Sequence, residues 1–566
     1  MEASNLLTTV LSCIVFMGLV AWFSYLKTRG EVSTKEGYFL AGRGLTGVFI
    51  AGSMLLTNLS AEQLIGLNGS AYGFNMSSMA WEVTSAIATI CMAMIFLPRY
   101  LGGAFTTLPE FLHDRFDDGV RRMSVVLFMV GYALVTIPSV LYSGSIAVLE
   151  LFDVPGLLNV SYSAGLTFTI FIIGCIGAIY AIFGGLKAVA VSDTLNGVGL
   201  LVVGIIVPVL GLIALGEGSF TQGLTIITTT QTEKLNSIGS ETDPIPFGTI
   251  FTGMIFANLF YWCTNQYVIQ RTLGAKNLAE GQKGVLFSGF FKIMVPFLMM
   301  IPGVIAFHMY GPGLATIDLA YPQLIRDVLP PYLSGFFLAV LLGAVFSSFN
   351  SLLNSAATLF CLDVYAPMRK REMGDSELVR VAKIASVVIA LFSFVVAPLL
   401  QFAPEGLWQI IRIFTGFYNI PIVAIVIVGL FTRRVPALGA KIVIVFHVVV
   451  YGVVKFVLDD VVTLHFLHLY AVLFVVEVGI MLATGYLMPR ATAWRYEQKA
   501  LVDLTPWRLA KPAAFLLFSM VVFLYLVFSP IGIVGGLSDL YWPLVGALAV
   551  INILIWLYFL ARPTAS

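Results

Sequence analysis

Apolar residues run for about twenty positions at a time along nearly the whole chain, separated by short polar stretches. A helix of that length crosses the hydrocarbon of a bilayer, so the pattern predicts about fifteen transmembrane helices. They lie near 5–26, 45–71, 76–98, 123–150, 162–184, 188–215, 246–270, 284–309, 330–361, 380–403, 405–431, 437–458, 464–488, 513–533 and 540–561. Strands of a membrane barrel alternate in polarity over about ten residues, and these runs do not. Two runs are interrupted. Thr57-Asn58-Leu59-Ser60-Ala61-Glu62-Gln63 sits inside the second span, and Ala257-Asn258-Leu259-Phe260-Tyr261-Trp262-Cys263-Thr264-Asn265-Gln266 inside the seventh. Unpaired polar groups are costly in hydrocarbon, so both segments are expected to unwind around a protein-lined or aqueous site. For either helix alone, a polar-lined structural kink is the plainer alternative.

Composition places the whole chain in the membrane. Of its 566 residues 59% are hydrophobic and 11% charged, where a soluble domain carries about a quarter charged residues. The net charge of +1, with no basic cluster outside the loops, gives no reason to expect a nucleic-acid partner. Loops 216–245 and 489–512 are too short for an ATPase domain, no nucleotide-binding Gly-rich loop follows a strand, and no covalent chemistry or enzyme activity is expected. The five cysteines fall in or at the edge of spans, against a disulfide framework, and the five histidines show no metal-ligand spacing. Glu477, in an apolar span, is expected to bond a neighbouring helix. The first span lacks the basic flank of a signal peptide and reads as a retained helix.

Basic residues set the orientation. With the N-terminus outside, 26 of the 31 Lys and Arg residues fall on the cytoplasmic side. Only Lys234, Arg326 and Lys455 are external, and Lys292 and Arg412 lie inside spans. Spans 2–6 and 7–11 then form two five-helix units of opposite topology, each opening with its interrupted helix. That is the pattern of an inverted repeat with a solute site near the midplane. Spans 2–11 are numbered here core helices 1–10. The expected organisation is a leading helix and cytoplasmic loop (1–44), a first repeat (45–215), an external loop (216–245), a second repeat (246–431) and four peripheral helices (432–566).

Several motifs in these spans are familiar. Asn58-Leu59-Ser60-Ala61-Glu62-Gln63-Leu64-Ile65-Gly66 with Trp81-Glu82-Val83-Thr84-Ser85 resembles the solute:sodium symporter family. So do Gly184-Gly185-Leu186 with Ser192-Asp193, and Asn258-Leu259-Phe260-Tyr261-Trp262 with Asn265-Gln266 and Gln270-Arg271-Thr272-Leu273. Ser347-Ser348 with Asn354-Ser355-Ala356-Ala357-Thr358 completes the set. The resemblance covers about residues 35–435 and points to the bacterial sodium/galactose and sodium/glucose cotransporter branch. It implies an all-α polytopic membrane protein with two inverted five-helix repeats, broken first helices and a leucine-transporter-type core.

Sodium is a hard cation and takes oxygen ligands. An unwound core helix 1 offers carbonyls around Leu56 and Leu59. The resemblance implies that Ser347, Ser348 and the Ala344 carbonyl complete a sodium site, with Asp193 beside it. On the residues alone, adjacent serines in a membrane helix also serve as a packing device, and Asp193 also suits an interfacial acid. Sodium is the coupling ion so implied; no other cofactor is.

Sugars need paired donors and acceptors and a flat face for the pyranose ring. The resemblance implies solute contacts from Gln63, Glu82, Ser85, Asn258 and Lys292, with Tyr261 as an inner gate tied to core helix 1 by Asn58. It implies an outer lid of Leu67, Trp81 and Trp408. Glu82 also suits an interfacial acid, and Tyr261 and Trp262 also suit packing. Lys292 is flanked by Phe-Ser-Gly-Phe-Phe and Ile-Met-Val-Pro-Phe. A lysine there requires a partner, and Glu82 is the natural one. Arg412, where the resemblance implies a neutral amide, lies between apolar neighbours. It either meets sugar hydroxyls in a wet vestibule or matches an acidic group on the solute, as in a uronic acid, sialic acid or sulfated sugar.

The expected activity is sodium-coupled symport of a sugar or sugar derivative into the cell by alternating access. The expected location is the bacterial cytoplasmic membrane, with the N-terminus periplasmic and the C-terminus cytoplasmic. Proton coupling, a non-sugar solute (sialic acid, myo-inositol, proline, pantothenate), a passive channel and a transporter-like sensor are the alternatives.

Overall fold

The computed structural model describes residues 3–28, 34–152, 154–314, 317–369, 373–402, 407–458, 461–499 and 501–561. Twelve helices among them are long and apolar enough to cross a membrane, and a bent pair makes a thirteenth span. The leading helix Ala3–Thr28 and the segmented core helix 6 account for the other two expected spans.

Core helix 1 is the bent pair. Gly47–Asn58 ends at Leu59, whose backbone leaves the helical region, and Ala61–Gly73 resumes after Ser60. The two halves meet at 59°. Core helix 6 runs Gly253–Leu259, widens into a π-helical turn at Phe260–Thr264, breaks at the extended Asn265, and continues as Gln266–Leu273. Both breaks fall where the polar residues interrupt the apolar runs. Freed backbone groups inside a membrane protein have to be met by other protein groups, and at Asn265 tyrosines meet them. Tyr132 donates to Asn265 Oδ1 (2.5 Å) and accepts from the Tyr267 N–H (3.3 Å), while Tyr100 donates to the Cys263 carbonyl (2.9 Å).

The remaining core helices are Met76–Gly102, Asp118–Ile146, Tyr162–Ile179, Leu186–Leu215, Leu278–Tyr310, Gly335–Met368, Asp375–Gln401 and Leu407–Phe431. Core helices 4 and 5 both pack on the same part of core helix 8: a Cβ on Gly177 would meet Phe349 and Phe346, and a Cβ on Gly343 would meet Asn196. Four peripheral helices follow: Ala437–Phe456, Phe466–Leu487, Ala510–Val527 and Tyr541–Ala561.

The first half of core helix 1 and the second half of core helix 6 meet at the expected cytoplasmic end. Leu45 and Ala275 form an isolated parallel bridge. Beside it the short helix Leu108–Arg115 is held from several sides. Leu108 N–H donates to Gln266 Oε1 (2.8 Å) and Thr107 donates to Asp363 Oδ2 (2.8 Å). Arg115 donates to the carbonyls of Gly429 (2.8 Å), Thr432 (3.1 Å) and Val435 (3.2 Å), capping the C-terminus of core helix 10. Burial, and then the nearby Arg490, push the Arg115 guanidinium down to about 10.

Candidate solute and cation site

A cavity of about 1010 Å³ lies between the two broken helices. Its walls include Asn58, Gln63, Leu67, Trp81, Glu82, Ser85, Asn258, Tyr261, Trp262 and Ser348, so ten residues singled out in the sequence face one space. Pro244, Ile317, His465 and Phe466 line it toward the expected external side, and Asn265 and Tyr267 line it at the break of core helix 6.

Lys292 stands behind this wall. Its Nζ forms an ion pair with Glu82 Oε2, joining core helices 7 and 2, and both side chains are buried. Nζ also lies 5.4 Å from the centre of the Trp262 ring, over its face. A lysine in an apolar span is thereby matched by a carboxylate and a π face, which answers its desolvation. Beside the pair, Ser85 donates to the Glu82 carbonyl (2.5 Å) and Asn258 Nδ2 donates to Thr84 Oγ1 (2.9 Å), fixing core helix 6 to core helix 2. Asn58 Oδ1 and Gln63 Oε1 are buried without a hydrogen-bond partner among the described residues. Tyr261 accepts from the Tyr267 hydroxyl (2.8 Å) and packs edge-on against both Trp262 and Tyr267. Trp81 stacks on Phe466 of the peripheral helix Phe466–Leu487, with centroids 6.4 Å apart and planes at 16°.

The residues expected around sodium separate onto two faces of core helix 8. Ser348 turns to the break in core helix 1, its hydroxyl 3.5 Å from the Leu56 carbonyl and 3.4 Å from that of Thr57. Leu59 and Ala344 are fully buried nearby in sequence to these groups. Ser347 turns toward Asp193 of core helix 5 and lines a second cavity of about 20 Å³ with Ser192, Asn196 and Asn350. Neither Ser347 Oγ nor Asp193 Oδ1 has a hydrogen-bond partner of good geometry among the described residues. The donor set on both faces is oxygen throughout, which suits a hard cation carried as substrate.

Arg271 is the residue that sequence reasoning missed. It is fully buried in the inner half of core helix 6. Its Nε donates to Ser53 Oγ (3.2 Å), and Ser53 donates to Asp193 Oδ2 (2.7 Å). Its other nitrogens reach the Tyr267 carbonyl and Ser351 Oγ, and Ser351 lies 3.2 Å from Thr57 Oγ1. One guanidinium thus links core helices 1, 5, 6 and 8 around the break. The signal was present in the polar residues Gln266, Gln270, Arg271 and Thr272, which are all buried although placed at a span end. The Arg271 charge looked like one more cytoplasmic loop residue.

Trp408 and Arg412 belong to the helix Leu407–Phe431, but their side chains lie outside the described residues. Glu477, expected to bond a neighbouring helix, pairs with His447 (2.5 Å).

A model of the sodium:solute symporter family matches residues 38–445. The chain is 43% identical over 531 residues to the uncharacterized symporter YidK of Escherichia coli (strain K12), covering 94% of this chain and 91% of that protein. It is 32% identical over 449 residues to a sodium/glucose cotransporter of Vibrio parahaemolyticus, covering 75% of this chain and 80% of that one. Sodium/glucose cotransporter 1 of Ovis aries is 29% identical over 477 residues, covering 78% and 69%. The solved structure of a Na+-coupled sialic acid symporter in a substrate-bound, outward-open state superposes with a TM-score of 0.74 at 20% identity, covering 86% of this chain and 98% of that one, and so shares the fold. The matched segment contains both broken helices and all of the cavity lining except His465, Phe466 and Tyr470, and the chain belongs to the sodium:solute symporter family.

Proposed function

We propose that this symporter couples inward sodium flow to the uptake of a sugar or sugar derivative by alternating access. The observation that carries the proposal is the grouping, in one cavity between two broken helices, of Glu82, paired with Lys292 behind it, with Asn58 Oδ1 and Gln63 Oε1, which have no hydrogen-bond partner among the described residues, and the aromatic faces of Tyr261 and Trp262. Hydroxyl-rich solutes need such alternating donors and acceptors beside a flat apolar face. Relatives named as sodium/glucose and sodium/myo-inositol cotransporters support the same class of solute.

In this proposal Gln63, Glu82, Ser85, Asn258 and Lys292 bind the solute. Tyr261 and Trp262, with Asn58, form the inner gate, and Leu67, Trp81 and Trp408 the outer one. Sodium is held by oxygens at Leu56, Leu59, Ala344, Ser347 and Ser348, with Asp193 adjacent, and its binding organises core helix 1. By linkage, whatever factor sodium adds to solute affinity, solute adds to sodium affinity. A cation falling through the membrane potential supplies about 2.3 kcal/mol per charge per 100 mV. Arg412 decides whether the solute carries an acid. Uronate or sulfated sugars outcompeting their neutral counterparts, with Arg412→Gln abolishing that preference, supports an acidic solute, and the reverse ranking excludes it. Uptake of a labelled sugar panel into proteoliposomes under sodium, potassium or proton gradients tests the proposal as a whole.

A further inference from the structure

Core helix 10 presents Thr415, Tyr418 and Asn419 to the cavity from the turns just before a proline. Pro421 lies inside the helix and has no N–H for the Phe417 carbonyl. The Ile420 N–H, which in a regular helix serves the Gly416 carbonyl, is engaged by Asn419 Oδ1 at 2.7 Å. The Gly416 carbonyl is also met from outside the core, by His447 Nε2 of the helix Ala437–Phe456 at 2.8 Å. The other ring nitrogen, Nδ1, faces Glu477 Oε1 of the helix Phe466–Leu487 at 2.5 Å, and both side chains are wholly buried. A carbonyl only accepts, so Nε2 carries a proton, and Nδ1 and Glu477 share one between them. The carboxyl group thereby fixes the direction of the ring, as carboxylates do for histidines elsewhere.

The grip has a second finger. Tyr451, one turn beyond His447, lies parallel to the imidazole, with centroids 5.5 Å apart and planes at 13°. A Cβ on Gly416 would stand 2.1 Å from the Tyr451 hydroxyl, so glycine alone allows this approach. His447, Tyr451 and Glu477 all lie beyond residue 445, outside the segment that the family model matches. A pair needed only to pack two peripheral helices would gain nothing by aiming its second nitrogen at a core carbonyl, since apolar residues pack as well.

We propose that His447 and Glu477 are positioning residues for the solute cavity, holding the Gly416 carbonyl so that the weakened stretch Gly416–Pro421 keeps Thr415, Tyr418 and Asn419 in place. The proposal rests on the cavity being the solute site, and its test needs no solute. In full-length protein in proteoliposomes, with the five native cysteines replaced, Thr415→Cys is labelled with a membrane-impermeant maleimide. Glu477→Ala and His447→Ala each accelerate labelling about tenfold, the worth of one buried charge-assisted hydrogen bond. Glu477→Leu, apolar and of similar volume, does the same without threatening the fold. Glu477→Gln retains a hydrogen bond to Nδ1 and labels at the parent rate. Labelling at the parent rate in Glu477→Leu, or acceleration in Glu477→Gln equal to that in Glu477→Ala, overturns the proposal. A sugar panel that shows no uptake overturns the proposed solute and leaves this result standing.

Discussion

Lys292 of core helix 7 and Glu82 of core helix 2 form a buried ion pair, 210 positions apart in sequence, at the wall of the cavity. The pair solves a local problem, since each charge is tolerable in an apolar span only because the other is present. It also ties together two helices that flank the break in core helix 6.

The two residues are therefore expected to act as a unit. Removing one partner of a buried pair costs about 3–5 kcal/mol, because the other charge is stranded. Glu82→Ala and Lys292→Ala each weaken solute binding by about a hundredfold or more, and the double variant is no worse than either single one. Equilibrium solute binding across the four proteins checks this; simple additivity shows that the two side chains act separately.

Ser348→Ala acts through sodium. Its hydroxyl faces the carbonyls of Leu56 and Thr57 at the break in core helix 1. Losing one oxygen from a small cation shell raises the sodium concentration for half-maximal uptake about tenfold, on the scale of one buried hydrogen bond to a charge. Sodium titration of uptake measures it, and an unchanged titration removes Ser348 from the ion site.

Arg271 carries a structural burden that its neighbours share. Arg271→Gln strands Asp193, which faces it through Ser53, and lowers the unfolding temperature. Adding Asp193→Asn removes the stranded charge and restores part of the loss. Thermal unfolding of the purified single and double variants checks both steps; a double variant less stable than Arg271→Gln contradicts the linkage.

Tyr261 sits at the cavity wall with its hydroxyl bonded to Tyr267 and its ring edge-on to Trp262. Tyr261→Ala keeps the backbone of core helix 6 but loses uphill accumulation, because the ring that shields the solute from the Asn265 break is gone. Accumulation ratios in vesicles test it, and a ratio equal to that of the parent protein reduces Tyr261 to packing.

How much of this was legible in the sequence depended on whether a signal was local. The two broken helices were visible because polar residues in an apolar run have no bland explanation when they recur in both halves. Glu82 and Lys292 could be matched as two expensive charges with one cheap solution. Arg271 could not be, because a basic residue at a span end looks like every other loop arginine until its burial is known. The separation of Ser347 from Ser348 follows from helix geometry, in which adjacent residues point about 100° apart, yet which of them faces core helix 1 depends on packing. The cavity lining from His465, Phe466 and Tyr470 is a long-range contact, and an apolar helix shows nothing in its sequence to separate a lipid-facing side from a protein-facing one.

The central claim is sodium-coupled solute uptake through the cavity between the two broken helices. Its most direct measurement is initial uptake of labelled hexoses, uronates and myo-inositol into proteoliposomes, with an inward sodium gradient compared with potassium and proton gradients of equal size. The account predicts that at least one of these polyhydroxylated solutes accumulates above its external concentration under the sodium gradient alone, and that Glu82→Ala abolishes the accumulation. Accumulation of the same solute under the proton gradient without sodium, or unimpaired accumulation in Glu82→Ala, would contradict it.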